Sequence, residues 1–480
     1  MKSLKFNSIK KPWIYLLKGR QKAPFAAMRR NTITVMGMPG AHLTSTEIDP
    51  IVIRQPVGFV VNDDEHELQI KDELASWLYT EEPVPLEFDD EPGRTYYAVV
   101  QNTLSDFEKF AELRQGTVEF LILDPYGYGP EETETFTADT TMIINPGTAP
   151  ADPIFELEVL QPVTFAMISN GDQYNMIGEP LDVESQSPFQ KYERVFHSSG
   201  NNLTGWTTAS AGEVDGIIAG EMTTDGSVFK AADYGTGESW HGPAIRATLP
   251  STLKNFCVEA KVKFMNGDSK DIGRVEVYML DAVGNQICKM ALKDTVGGRS
   301  ETFGEARVGN SEDNEFLISK SNNGPDHPWT WNEFEGVLRI ERDKDLWTAY
   351  IAKVDPVTGK HHSRRSVSMP DYEGKYLQSV AQVVVHVAQN GDYQTPVQAI
   401  DEVSVYKINL ADLGIPYIAD AGDTITFDHE SDELLINGEN FKSRHAFGGQ
   451  FFELESGNNQ LVVHPESSFN ASVKYRPRYR

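Results

Sequence analysis

Alternation of apolar and polar residues at strand spacing runs through almost the whole chain, and it limits the fold more than any other feature. Segments such as FCVEAKVKFM, RVEVYMLD and LWTAYIAKV alternate in this way. Because alternate residues of a strand share a face, each segment predicts a strand with one buried side. Only IKDELASWLYT has helical spacing, with Ile70, Leu74, Trp77 and Leu78 on one face. The sequence therefore predicts a mainly β protein with one clear helix.

The distribution of these strand patterns predicts three folded units. Residues 1–130 predict a small antiparallel sheet packed by the helix. Residues 191–411 carry seven or more strand patterns with long loops, which is typical of a two-sheet jelly-roll sandwich. Residues 131–190 and 412–480 each hold too few strands to bury a core alone. We therefore expect them to form one sandwich, with 191–411 inserted into a surface loop.

Charge and composition exclude several classes of function. With 43 basic and 71 acidic residues the net charge is −28, which disfavours nucleic acid as a partner. No apolar run is long enough to span a membrane. No small-residue cleavage pattern follows the short WIYLL segment, so we expect no export signal. Cys257 and Cys288 lie in strand patterns and predict buried thiols, although a disulfide between neighbouring strands stays open.

Catalytic and metal-binding patterns are weak. A retaining glycosidase needs two close carboxylates, and the nearest match to the required alternating acids is Glu213 and Asp215, followed by Ile217. His361 and His362, in TGKHHSRRS, are expected in a solvated loop. The acid-rich segments NGDSKDIG and SEDNE could hold calcium. We otherwise predict no catalytic residue, no metal site and no cofactor.

Several segments, in chain order, resemble the distal tail proteins (Dit) of siphophages and Gram-positive prophages. They are DELASWLYTEEPVPLEFDDEPGRTYYAVV with EFLILDPYGYG, NPGTAPADPIFEL with ISNGDQYNMIGEP, and GDTITFDHESDELLINGE with FFELESGNNQLVV and VKYRPRYR. The resemblance covers about residues 1–190 and 412–480. It implies a ring-forming belt domain at 1–130 and a galectin-like sandwich from the two flanking parts.

The same resemblance implies an assembly and a location. Belt domains of this family form a homohexameric ring at the virion tail tip, part of the baseplate, between the tail tube protein and the tail-fibre or tail-associated lysin protein. The first thirty residues contain lysine and arginine but no acid. Because a ring of acidic chains needs locally complementary surfaces, we expect Lys10, Lys11, Arg29 and Arg30 at ring or tube contacts.

The prolines of NPGTAPADPIFEL also take a role from this resemblance. Pro146, Pro150 and Pro153 prevent helix formation and remove three amide donors. We interpret the segment as a stiff crossover into the first interior strands of the galectin-like sandwich, where it would fix the pose of that domain against the ring.

The segment 191–411 is similar to concanavalin-type and laminin-G-like lectin sandwiches, through HPWTWNEFEGVLRIERDKDLWTAYI and IDEVSVYKI. This resemblance implies a module that binds host cell-wall saccharide. Sugars stack on aromatic faces, so Trp240, His241, Trp329 and Tyr393, all expected in loops, are the candidate binding residues. Trp331 and Trp347 are expected in the core. Alternatives are a wall-polysaccharide hydrolase on the same sandwich, a free bacterial lectin, or an insert that only spaces the baseplate.

Overall fold

The computed structural model describes residues 2–101, 107–110, 112–181, 187–320, 327, 329–411 and 414–480. Strands dominate it, and its one α-helix is Asp64–Leu78, so the prediction of a mainly β protein with one helix is confirmed. A single 3-10 turn, Lys442–Arg444, is the other helical element of the described residues.

The first sheet is antiparallel and has ten strands, with the helix packed on it. The helix begins where Asp63 accepts a hydrogen bond from the His66 amide at 2.7 Å, and it buries Ile70, Leu74 and Trp77 as its spacing predicts. The strands of the first sheet are Leu4–Phe6, Ile9–Lys10, Tyr15–Leu16, Ile51–Val60, Val84–Phe88, Thr95–Val100, Glu108–Phe110, Leu113–Ile122, Gly127–Tyr128 and Arg478–Tyr479.

A separate two-stranded hairpin, Met28–Ile33 with His42–Ile48, leaves this sheet; we call residues 28–48 the arm. Nearly all of its strand residues are exposed. The chain turns at the tip of the arm through Gly37 and Gly40. Both residues have positive φ, a backbone conformation that glycine adopts without steric cost. The arm contributes no residue to the buried core of the first sheet.

The next unit, the composite sandwich, takes strands from both flanking parts of the chain. Strand Ile154–Val159 lies between Thr424–Asp428 and Phe469–Tyr475, which arrive some 270 residues or more later in the chain. Its six-stranded sheet holds Glu132–Thr135, Ile154–Val159, Thr424–Asp428, Glu433–Ile436, Glu439–Asn440 and Phe469–Tyr475, and its four-stranded sheet holds Thr140–Asn145, Phe165–Ser169, Tyr174–Gly178 and Gly457–His464. Both sheets contribute to one apolar core.

The proline segment crosses between these two sheets. It leaves strand Thr140–Asn145 of one sheet and enters Ile154–Val159 of the other. The buried Asn145 amide donates to the Ala149 and Leu454 carbonyls at 3.2 and 3.0 Å, and the amides of Thr148 and Ala149 donate to the Arg478 carbonyl. Because Arg478–Tyr479 belongs to the first sheet, the crossover touches both units. The sequence predicted that all of residues 412–480 belong to the composite sandwich. The last strand of that range, Arg478–Tyr479, instead belongs to the first sheet.

The inserted sandwich lies between these parts in the chain and has a large core of its own, which includes Trp331 and Trp347. Its eight-stranded sheet holds Tyr192–Ser198, Glu221–Thr224, Phe229–Asp233, Phe256–Met265, Phe334–Asp343, Leu346–Val354, His361–Pro370 and Val397–Ile408. Its nine-stranded sheet holds Thr207–Thr208, Ile217–Ile218, Trp240–Gly242, Ala244–Leu253, Gly273–Leu280, Gln286–Asp294, Phe303–Gly309, Asn314–Ile318 and Val380–Asn390.

The two ends of the inserted sandwich are brought together by a short parallel pair, Ser187–Phe189 with Gly414–Pro416. A domain can be inserted into a surface loop only when its ends lie close, and this pair meets that condition. Beside it, the edge strand His361–Pro370 approaches the composite sandwich, where the His361 amide donates to the Gly438 carbonyl at 3.0 Å. The expectation that His361 and His362 lie in a solvated loop is therefore wrong.

Candidate functional sites

The arm carries the most exposed apolar surface near the N-terminus. Its exposed large apolar residues are Met28, Ile33, Val35, Met36, Met38, Leu43 and Ile48. Contiguous exposed apolar patches on a soluble protein mark interaction surfaces. The sequence prediction did not single out these residues, although the dense methionines around the Gly-Met-Pro-Gly turn in ITVMGMPGAHL were the available signal.

Two predicted contact residues, Arg29 and Arg30, lie on the first strand of the arm. Arg29 pairs with Asp49 at 2.8 Å, and Arg30 donates to the Thr46 hydroxyl at 2.5 Å. The other two, Lys10 and Lys11, pair with Asp89 at 2.8 Å and Glu73 at 2.6 Å.

All four cations thus have partners within the chain. Their charges are already partly offset before any partner binds, so the charge argument for their role in a ring is weaker than the sequence suggested. The contacts of these four residues in an assembly stay a prediction.

The predicted saccharide residues Trp240 and His241 lie in strand Trp240–Gly242, so their expected loop position is wrong. His241 is buried and its ring Nδ1 lies 2.7 Å from the Ser239 carbonyl oxygen. The ring of Trp240 is half-buried beneath the Arg274 guanidinium, 4.7 Å from its centroid. This strand formed because residues 240 and 241 pair with the end of Val380–Asn390, a contact that local sequence does not reveal.

The other two candidates, Trp329 and Tyr393, are exposed on turns as expected. Tyr393 lies just after strand Val380–Asn390, and Trp240 pairs with Asn390, the last residue of that strand. The fold therefore brings Tyr393 and Trp240 to the same end of the strand. Trp329 lies before strand Phe334–Asp343 of the opposite sheet and stacks parallel to His327 at 5.2 Å between ring centroids. Whether any of the four binds sugar stays a prediction.

The outer face of the nine-stranded sheet holds a buried ion-pair cluster. Lys289 lies 2.7 Å from Glu276, 3.0 Å from Asp215 and 3.0 Å from Glu305. Glu276 also accepts from Tyr278 at 2.8 Å, and it lies 2.8 Å from His386. Burial favours the neutral acid, but Arg274 and Lys289 outweigh it and hold the pKa of Glu276 well below its ordinary value. This carboxyl therefore stays ionised.

A crossing segment closes this face. The Asp215 amide donates a hydrogen bond to the Tyr278 hydroxyl oxygen at 3.0 Å, and strand Ile217–Ile218 pairs with Trp240–Gly242. Glu213 forms an ion pair with Arg246, and Asp215 pairs with Arg307 at 2.9 Å. The two acids nearest to a glycosidase pattern are thus bound to cations, so neither is arranged as a free acid and base.

The remaining sequence expectations concern cysteines, metals and membranes. Cys257 and Cys288 are free, buried thiols, and burial raises the pKa of both. Among the described residues, no cluster of three or more His, Cys, Asp or Glu side chains could hold a metal ion, and calcium stays a prediction. In the same described part of the chain, no helix is both long and apolar enough to cross a bilayer.

Two family models match the ends of the chain. Residues 9–122 match the phage tail protein RIFT-related domain, and residues 390–479 match the C-terminal domain of the siphovirus-type tail component. The second match begins within the inserted sandwich, in the last residue of Val380–Asn390. The chain is also 31% identical over 133 residues to the distal tail protein of Bacillus phage SPP1, across 28% of this chain. The alignment spans 48%, about half, of that relative.

Two solved structures resemble this chain in fold at low sequence identity. The crystal structure of SPP1 Dit covers all of this chain at 9% identity with a TM-score of 0.40. The CBM2 module of the evolved Dit of Lactobacillus casei BL23 phage J-1 covers 46% of this chain and 98% of that module, at 16% identity and a TM-score of 0.39. At such scores neither likeness carries an argument about function. The sequence matches at the two ends confirm the family resemblance drawn from the residues.

Proposed function

We propose that this chain, whose two ends are related to siphophage distal tail proteins, is the structural hub at the tail tip of a phage virion. In this role it joins the tail tube to the tail-tip adhesion device. The observation that carries the proposal is the match of residues 9–122 and 390–479 to two tail-protein domains. The two regions are far apart in the chain, yet strand Arg478–Tyr479 pairs with Gly127–Tyr128, which pairs in turn with Thr95 of the first matched region.

The arm supports an assembly role. It is a hairpin with apolar side chains on the outside, and an isolated two-stranded hairpin is marginally stable in water. Contact with a neighbouring copy in a homohexameric ring, or with the tube protein, would bury these side chains. Lys10, Lys11, Arg29 and Arg30 lie on or near this part of the chain and are proposed to border the same contact.

We assign the inserted sandwich to adhesion, as a module that binds saccharide of the host cell wall. The sandwich has its own core and its ends meet at one parallel pair, so it is a distinct folded unit within the chain. The proposal further takes the chain to be a non-enzyme. The buried acids of the nine-stranded sheet support this, because Glu276 is inaccessible and stays ionised.

Light scattering and negative-stain imaging of the purified full-length chain test the hub. A hexamer-sized species with a central hole is expected, either alone or after addition of the tube protein. A chain that stays monomeric under both conditions contradicts the hub. Binding of purified Gram-positive cell walls tests the insert.

A wall-polysaccharide hydrolase is the second candidate, since one face of the nine-stranded sheet brings Asp215, Glu276 and Glu305 together around Lys289. Release of reducing sugar from purified walls separates the two functions. No release is expected from the wild type, and release that disappears in Glu276→Gln would overturn the non-enzyme proposal.

A further inference from the structure

We infer that the saccharide site of the adhesion module is the cleft between the inserted sandwich and the composite sandwich, and that it takes a short neutral oligosaccharide. This inference rests on the proposed function and gives it a location. The cleft is a cavity of about 340 Å³, within the size range of small-ligand sites. Such sites occur preferentially between domains.

Both units build the cleft. The eight-stranded sheet of the inserted sandwich provides one side, including Cys257, Glu259 and Arg339, and the composite sandwich provides the other, including Tyr417 and Arg444. Neither unit alone would form it. Because the two contributions lie far apart in the chain, no local sequence pattern indicates this site.

Four aromatic rings line the cleft: Tyr192, Tyr406, Tyr417 and Phe441. Aromatic faces stack on the apolar face of a sugar ring, and a tyrosine adds a hydroxyl that can bond to the sugar. The first pair is held in place, since Tyr192 and Tyr406 meet edge to face at 6.5 Å between centroids. Among the described residues, no ring pairs with Trp240 or Tyr393, the two earlier candidates at the end of strand Val380–Asn390.

The charges of the cleft are balanced, which selects a neutral ligand. The lining carries three carboxylates and three cations: Glu259, Glu341 and Glu439 with Lys191, Arg339 and Arg444. The carboxylates would repel an anion, and the basic groups would repel a cation. A polyol, by contrast, can donate hydrogen bonds to the carboxylates and accept them from the basic groups. Sugar hydroxyls have this double character.

The polar lining is partly fixed before any ligand binds. The Arg339 guanidinium donates to Glu439 of the composite sandwich at 2.9 and 2.5 Å and to Glu259 at 3.2 Å. The Tyr192 hydroxyl donates to Glu341 at 3.1 Å. Residues locked in this way lose little freedom on binding.

Two lining groups remain open. The side chains of Tyr417 and Arg444 make no hydrogen bond or ion pair with any other residue that the structure describes. They belong to the composite sandwich, so changing them leaves the inserted sandwich intact. They are therefore the best positions for a test of the cleft.

The test measures binding of the full-length wild type, Tyr417→Ala and Arg444→Ala to a panel of purified Gram-positive cell walls, with neutral tetrasaccharides of N-acetylglucosamine or glucose as competitors. Phe447→Ala is the matched control, since Phe447 follows Arg444 by three residues, has a fully exposed side chain and does not line the cleft. Trp240→Ala and Tyr393→Ala test the alternative, that saccharide binds at the end of strand Val380–Asn390 where these two residues lie. The melting temperature of each variant shows whether it is folded.

We expect each cleft variant to bind walls at least about tenfold more weakly than the wild type, with the control unchanged. We also expect a competing tetrasaccharide to raise the melting temperature of the wild type more than that of the cleft variants. Wall binding that survives in folded cleft variants but is lost in Trp240→Ala or Tyr393→Ala overturns the cleft and leaves the adhesion function standing. No binding by the wild type to any wall overturns both, and competition by glycerol 3-phosphate instead of the neutral sugars overturns the ligand class.

Discussion

Replacing the apolar side chains of the arm should prevent assembly without unfolding the chain. Ile33, Met36 and Leu43 are 54%, 100% and 57% exposed. Their exposed fractions add up to about two whole side chains. Burying one such side chain contributes roughly 1.5–3 kcal/mol, so burying all of this surface in a subunit contact should contribute about 3–6 kcal/mol to the free energy of association. Since each 1.4 kcal/mol is tenfold, a triple change to Ser should weaken subunit association by about 10² to 10⁴.

Sedimentation velocity over a concentration series measures this effect, with the tube protein added if the wild type alone is monomeric. A matched control changes three exposed residues of the inserted sandwich, Val283, Val357 and Tyr372, to Ser. The control should assemble like the wild type. Because all six side chains are exposed, both variants should keep the wild-type melting temperature. If the arm variant assembles at the same concentration as the control, the assembly role of the arm is wrong.

Three further outcomes are expected. Changing Pro146, Pro150 and Pro153 together to Ala should loosen the crossover and reduce the yield of assembled particles counted by electron microscopy; an unchanged yield would refute the stiffening role. Burial lowers the pKa of the His429 imidazole to about 4, whereas in the unfolded chain this imidazole takes up its proton near pH 6.5. The contribution of His429 to the unfolding free energy should therefore fall by about 3 kcal/mol as the pH drops from 6.5 to 4. Urea titrations over this pH range should show a correspondingly smaller fall for His429→Gln than for the wild type. Lys289→Met should cost roughly 3–5 kcal/mol of unfolding free energy, because it removes a partner from the buried Glu276 and Glu305 and from the partly buried Asp215. A cost under about 1 kcal/mol would show that the cluster is not stabilising.

The spacing of apolar residues predicted helices, strands and buried side chains well where the spacing within one element determines which face is buried. The helix residues Ile70, Leu74 and Trp77 are buried, as is Trp347 on its strand, because their spacing places each on an inward face. Trp331 is buried too, but it lies in the turn before strand Phe334–Asp343, so its burial does not follow from strand spacing. The same reasoning failed for Trp240 and His241. A flanking Gly-rich context suggested a loop, whereas pairing with a strand about 150 residues later in the chain formed a strand there.

Residue pattern alone determined the mainly β character of this protein, its helix Asp64–Leu78 and the family resemblance of its two ends. These depend on local spacing and on short ordered motifs. Tertiary structure alone decided which residues share a site. The cleft joins Arg339 to Glu439, and the last strand joins Arg478 to the first sheet. Such contacts depend on long-range strand pairing, whose register follows from the burial of whole sheets and leaves no local signature.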